Sequence, residues 1–165
     1  MKRWILFVLV ALVFVLGFAF AGIATIRLDA LEDPGRLETA LATRVKHIVI
    51  QRSSRQGIPL PLINLQGSIQ EGDKLFGTDC SECHGNSGRN PTDAGRWMYP
   101  RAADLGSTQV QQYSDSELFW IVKNGIRFSG MPAFGRVESD EHIWDLVHYV
   151  RTLPHATSAE PTQHK

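Results

Sequence analysis

The chain has 165 residues, room for one compact domain plus accessory segments, and its 17 basic and 17 acidic residues leave no formal net charge. The charges are unevenly placed: residues 27–65 hold six Lys/Arg against four Asp/Glu, and residues 66–154 hold eight against twelve. An acidic globular part argues against nucleic acid as a partner, because phosphates need a basic face.

From Trp4 to Ile26 there is no charged residue. A helix of that length reaches about 34 Å and spans a bilayer core of about 30 Å. A cleaved export signal is the alternative, since Ala19-Phe20-Ala21 offers a small-x-small site. The apolar run before that site exceeds the usual 7–15 residues, however, and continues beyond it. Residues 1–26 therefore read as a retained anchor. Lys2 and Arg3 hold the N-terminus in the cytoplasm, so the remainder is exported. In a bacterium this describes a single-pass inner-membrane protein with its bulk in the periplasm.

Residues 27–67 read as a linker containing a short amphipathic helix. Asp33-Pro34 suits a helix N-cap followed by a first-turn proline. Leu37, Leu41, Val45, Ile48 and Val49 recur at helical spacing, flanked by Arg36, Arg44, Lys46 and Arg52. The stripe has two readings of equal weight. It lies on lipid headgroups beside its own anchor, or it packs on the domain that follows or on a partner subunit. Ser53 to Gly57, then Pro59 and Pro61, break regular structure.

Ser68 is placed to cap a helix that starts near Ile69 and runs into Cys80-Ser81-Glu82-Cys83-His84. This is C-x-x-C-H, the attachment sequence of a c-type haem, and it holds both cysteines of the chain. Two thiols at this spacing reach the two vinyl groups of one haem, and the adjacent imidazole then lies under the iron. Three rivals exist. An exported protein can join the thiols in a disulfide. A redox dithiol belongs in a βαβ context, which the sequence lacks. A zinc site needs a fourth ligand, and His142 and His148 show no ligand-pair spacing.

Gly85 to Gly95 has loop composition. Trp97, Tyr99 and Pro100 then form a segment too apolar for a solvated loop, expected to cover part of the haem, with Met98 as pocket packing. Ser114-Asp115-Ser116-Glu117 fits a capping box. It opens a helix with Leu118, Phe119, Ile121 and Val122 on its buried side, ended by Gly125. Arg127 to Gly135 is a Gly- and Pro-bounded loop around Met131. Ser139 or Asp140 starts a last helix carrying Ile143, Trp144, Val147 and Val150, stopped by Pro154. Trp120, Phe134 and Trp144 read as core. His142, His148, His155 and His164 receive no role, and residues 155–165 read as a disordered polar tail.

In combination, residues 68–154 resemble a class I cytochrome c domain, a mostly α fold wrapped round one covalently bound haem. Gly72 and Phe76 match that family's first-helix pattern, Leu146 and Tyr149 its last-helix pattern, and Met131 in Gly-Met-Pro-Ala-Phe its distal-ligand loop. The resemblance implies that the first and last helices cross at Gly72. It implies haem c on Cys80 and Cys83, with the iron held axially by His84 and Met131. Trp97, Tyr99 and Arg127 are candidates for hydrogen bonds to the propionates. The family's proline before a leucine is replaced in Ala103-Asp104-Leu105. The carbonyl that orients the proximal histidine is thus left open among Pro100, Arg101 and Ala103. With both axial positions filled the iron exchanges one electron and has no substrate site. The function implied is an electron carrier, not an enzyme, between a redox protein donor and a redox protein acceptor. The alternatives are a haem subunit of a dehydrogenase or oxidase complex, and a haem enzyme or gas sensor whose Met131 dissociates.

Overall fold

The computed structural model describes residues 2–24, 34–55 and 65–153, and these are helical or irregular with no strand among them. The chain divides into two units, residues 1–33 and 34–165. The tail expected after residue 154 and the prolines at 59 and 61 lie outside the described residues.

The first unit carries one helix, α1 (Lys2–Ala24), which runs unbroken through Ala19-Phe20-Ala21. Its window from Arg3 to Gly22 has a mean hydropathy of 2.9 and no buried residue. By length and composition α1 is a candidate for a membrane span.

The second unit begins with α2 (Arg36–Ser54). Gly35, in extended conformation, occupies the N-cap position, so Pro34 precedes the first turn where the sequence had placed it; Asp33 lies outside the described residues. The Thr39 hydroxyl donates to the Gly35 carbonyl and closes that end. At the other end Ser53 and Ser54 continue the helix where a break had been expected. The remaining helices are α3 (Leu65–Asp79), α4 (Ser81–His84), α5 (Asp93–Trp97), α6 (Thr108–Gln111), α7 (Asp115–Asn124) and α8 (Asp140–Thr152), with a 3-10 turn over Phe134–Arg136.

The crossing of α3 with α8 dominates the packing. It depends on Gly72, since a Cβ there would overlap the Asp145 carbonyl and come 2.9 Å from Tyr149 Cβ. Phe76 and Leu146 are buried at the crossing, and the Phe76 and Tyr149 rings meet at 5.1 Å between centroids. Each fully buried side chain of this size contributes about 1.5–3 kcal/mol by leaving water. α3 begins at Leu65, so Ser68 lies inside the helix and is not its cap. It is buried, donates its hydroxyl to the Asp145 carboxylate, and lies 2.8 Å from His148 Nδ1. The pair thus satisfies a carboxylate that would be costly to bury alone.

α7 opens on the full capping box expected of Ser114 and Glu117, and Gly125 (φ 66°) ends it. Ser139 caps α8 by accepting from the His142 amide. Leu118, Phe119, Ile143, Trp144 and Val147 form the core between these helices, joined by Ile50 of α2 and by Tyr113. Arg151 of α8 donates to the Gln111 and Tyr113 carbonyls and to the Asp115 carboxylate, fastening the segment before α7 to the last helix.

Candidate functional site

Cys80 stands at the N-cap of α4, and the amides of Cys83 and His84 both donate to its carbonyl, at 3.2 and 2.9 Å. One helical turn therefore brings Cys80, Cys83 and His84 to the same side. Both cysteines are half-buried free thiols. Burial first, then the neighbouring Asp79 and Cys83, pushes the Cys80 thiol up to about 12. A redox dithiol needs a lowered thiol pKa, so this shift runs against that rival.

The loop after the motif is clamped to it from behind. The Thr92 amide donates to the Cys83 carbonyl at 3.1 Å, and the Thr92 hydroxyl donates to the Glu82 carbonyl. Gly95 of α5 lies so close to the Cys83 carbonyl that a Cβ would overlap it. The sequence reading missed both residues. The signal that could have found them is a threonine followed at N3 by glycine, a helix start that tolerates close backbone approach.

His84 Nδ1 lies 2.8 Å from the Ala103 carbonyl. Of the three carbonyls left open by the sequence, Ala103 thus supplies the bond, with no need of the missing proline. A carbonyl accepts only, so Nδ1 carries the proton and Nε2 keeps its lone pair for a metal. Burial lowers the His84 pKa, partly opposed by this bond, so the ring is held neutral, as ligation requires.

Met131 is half-buried against the hydrophobic core. Its loop is held by short-range bonds: the Met131 amide donates to Ser129 Oγ, which itself donates to the Ile126 carbonyl, and the Ile126 amide donates to the Met131 carbonyl. Phe128 in this loop has φ 62° and is almost wholly exposed. A left-handed bulky residue costs energy, and such positions gather where a loop is shaped for a ligand. Met98 proves to sit over the same loop, its sulfur packed on the Gly130 backbone.

The three candidates for propionate hydrogen bonds diverge. Trp97 is 79% exposed and Arg127 is exposed, whereas the Tyr99 hydroxyl donates to Glu38 of α2 at 2.9 Å. Trp144 is core; Trp120 packs partly buried against it, and Phe134 is half-buried.

The residues suit a haem. Two thiols and an imidazole oriented through Nδ1, all on one helical turn, have the chemistry that a covalent c-type haem requires. Arg89, in the loop after His84, has a buried Nε that makes no hydrogen bond and lies 4.0 Å from the Asp104 carboxylate, its ion-pair partner. Among the described residues no group of three or more His, Cys, Asp or Glu is arranged to hold a bare metal ion.

Fold and donor set define a monohaem cytochrome c domain. The family model described as cytochrome c oxidase, cbb3-type, subunit III matches residues 67–150, and the chain belongs to that family. It carries covalently bound haem c with iron, and its chemistry is haem-based electron transfer. Three solved chains match. One is from the Kuenenia stuttgartiensis reducing HAO-like protein complex Kustc0457/Kustc0458, with a TM-score of 0.50 and 22% identity. That match covers 61% of this chain and about half (53%) of the other, and it speaks for the fold alone. No curated protein matches.

Proposed function

We propose that Cys80 and Cys83 hold the haem through two thioethers, and that His84 Nε2 and Met131 sulfur take the two axial positions. The observation that carries this reading is the 2.8 Å bond from His84 Nδ1 to Ala103, which leaves the Nε2 lone pair available to a ligand. Bound there, the haem supplies a one-electron couple. The chain's own residues set its conditions. The Ala103 carbonyl fixes the imidazole plane and raises its basicity as a ligand. The Ser129 and Ile126 bonds deliver Met131, whose neutral, soft sulfur favours the reduced iron and raises the potential relative to a second histidine. The protein is then a carrier between a donor and an acceptor redox protein, anchored by α1, with the second unit in the periplasm. The family's description as an oxidase subunit favours a second reading in which the carrier works inside an oxidase complex.

Ligand binding tests the first reading. The reduced protein should not bind carbon monoxide, and Met131→Ala should bind it. Met131→His should keep the site closed and lower the reduction potential. Carbon monoxide binding to the unaltered protein, or an unchanged spectrum in Met131→Ala, would overturn the assignment. Replacing Cys80 and Cys83 with alanine should leave any haem extractable by acidified solvent. For the side of the membrane, protease added outside intact spheroplasts should cut the second unit. For the second reading, mild detergent extraction should bring oxidase subunits with the chain.

A further inference from the structure

The apolar stripe of α2 does not face the haem domain. The helix packs on α7 and the core through Thr43, Lys46, His47, Ile50 and Ser54, with the His47 ring stacked on Tyr113 at 4.6 Å. At 100° per residue this face lies opposite the stripe. Leu37, Leu41, Val45, Ile48 and Val49 are accordingly 82, 63, 53, 44 and 49% exposed. A helix that spends its polar face on its own domain and turns five large apolar side chains outward has a second partner.

We propose that this stripe seats the haem domain on the headgroup layer of an anionic bilayer. Two features favour lipid over a protein partner. Arg44 and Arg52 are exposed on α2 and Arg55 follows its end; Arg52 lies within the stripe and the other two beside it, and they outnumber Glu38, the acidic residue on that side, so the face as a whole attracts acidic headgroups. Residues 25–35, which join α2 to the end of α1, can span at most about 40 Å. If α1 is an anchor, as proposed above, this length lets α2 reach the bilayer surface. The consequence is orientational. His47 and Ile50 hold α2 to the domain, so seating the stripe fixes which side of the domain faces the lipid. The domain slides in one orientation and does not tumble on a tether.

The test uses the full-length, haem-loaded protein with a benzoylphenylalanine photocrosslinker at Leu41 or Val45. It is placed in vesicles of phosphatidylethanolamine and phosphatidylglycerol, and then in native membranes. Irradiation should give lipid adducts at both positions and few at Val137, which is exposed elsewhere on the domain. Exchanging phosphatidylglycerol for phosphatidylcholine, or pairing Arg44→Ala with Arg52→Ala, should lower the yield several-fold. An adduct to a second copy of the chain, an adduct to another polypeptide, or lipid adducts no more frequent than at Val137 would each overturn the proposal. Alkaline carbonate extraction of the same vesicles reports the anchor separately: release of the protein there counts against α1, not against the stripe.

Discussion

α2 and α8 look alike as sequences: each carries large apolar residues at helical spacing with charges between them. Their fates are opposite. In α8 the stripe is the core, with Ile143 and Val147 wholly buried and Leu146 1% exposed. In α2 the stripe is the surface, and the helix binds its domain through His47, Ile50 and the aliphatic stem of Lys46, whose pKa burial lowers. Periodicity shows that a helix has an apolar side. It does not show whether that side meets the same chain, another molecule or lipid.

The difference can be broken most severely at the α8 crossing. Gly72→Val should cost more than about 3 kcal/mol, since the new side chain meets the Asp145 backbone, which no rotamer change can relieve. Denaturant unfolding of the haem-loaded protein would show it as lost folding or a sharply lowered midpoint. Next, Leu146→Ala in α8 should cost about 2–5 kcal/mol, while Leu41→Ala in α2 should stay within about 0.5 kcal/mol in detergent. Equal costs would mean that the α2 stripe is covered by the chain itself. Ile50→Ala separates α2's two faces: it is 2% exposed, so its loss should approach the α8 value, about 2–4 kcal/mol. A negligible effect there would detach α2 from the domain.

A smaller effect is expected at the helix starts. Ser114→Ala removes one half of the capping box and should cost about 1 kcal/mol. The weakest is a pH effect at the start of α8. The Glu138 hydrogen bond to His142 raises that histidine's pKa. Its contribution is present below the unfolded pKa and is lost as pH rises through the elevated folded one. The pair is partly exposed, so stability should fall only slightly between weakly acidic and mildly alkaline pH. Glu138→Gln should flatten that slope in thermal unfolding followed across pH.

Much of the haem-domain architecture could be read from residues alone. Ser114 with Glu117 announced a helix start and Gly125 a helix end, because each rests on local backbone chemistry; the crossing at Gly72 was implied by the family resemblance, and the missing Cβ there is its physical reason. The donor residues proposed for the haem rest on the same kind of local signal, a short spacing and a Gly- and Pro-bounded methionine. Ser68 was misread as a cap because a serine before an apolar run carries the same local signature wherever the helix begins. Its role depends on Asp145, seventy-seven positions away.

Local chemistry therefore settled the starts of α7 and α8, the end of α7 and the apolar character of α1. Long-range contact settled the rest. Ala103, nineteen positions from His84, became the acceptor for its ring, and Thr92 and Gly95 came to grip the Cys83 turn. Two helices with the same periodicity were turned opposite ways. A stripe is a property of one segment, but its burial depends on which surfaces the folded chain leaves to cover it.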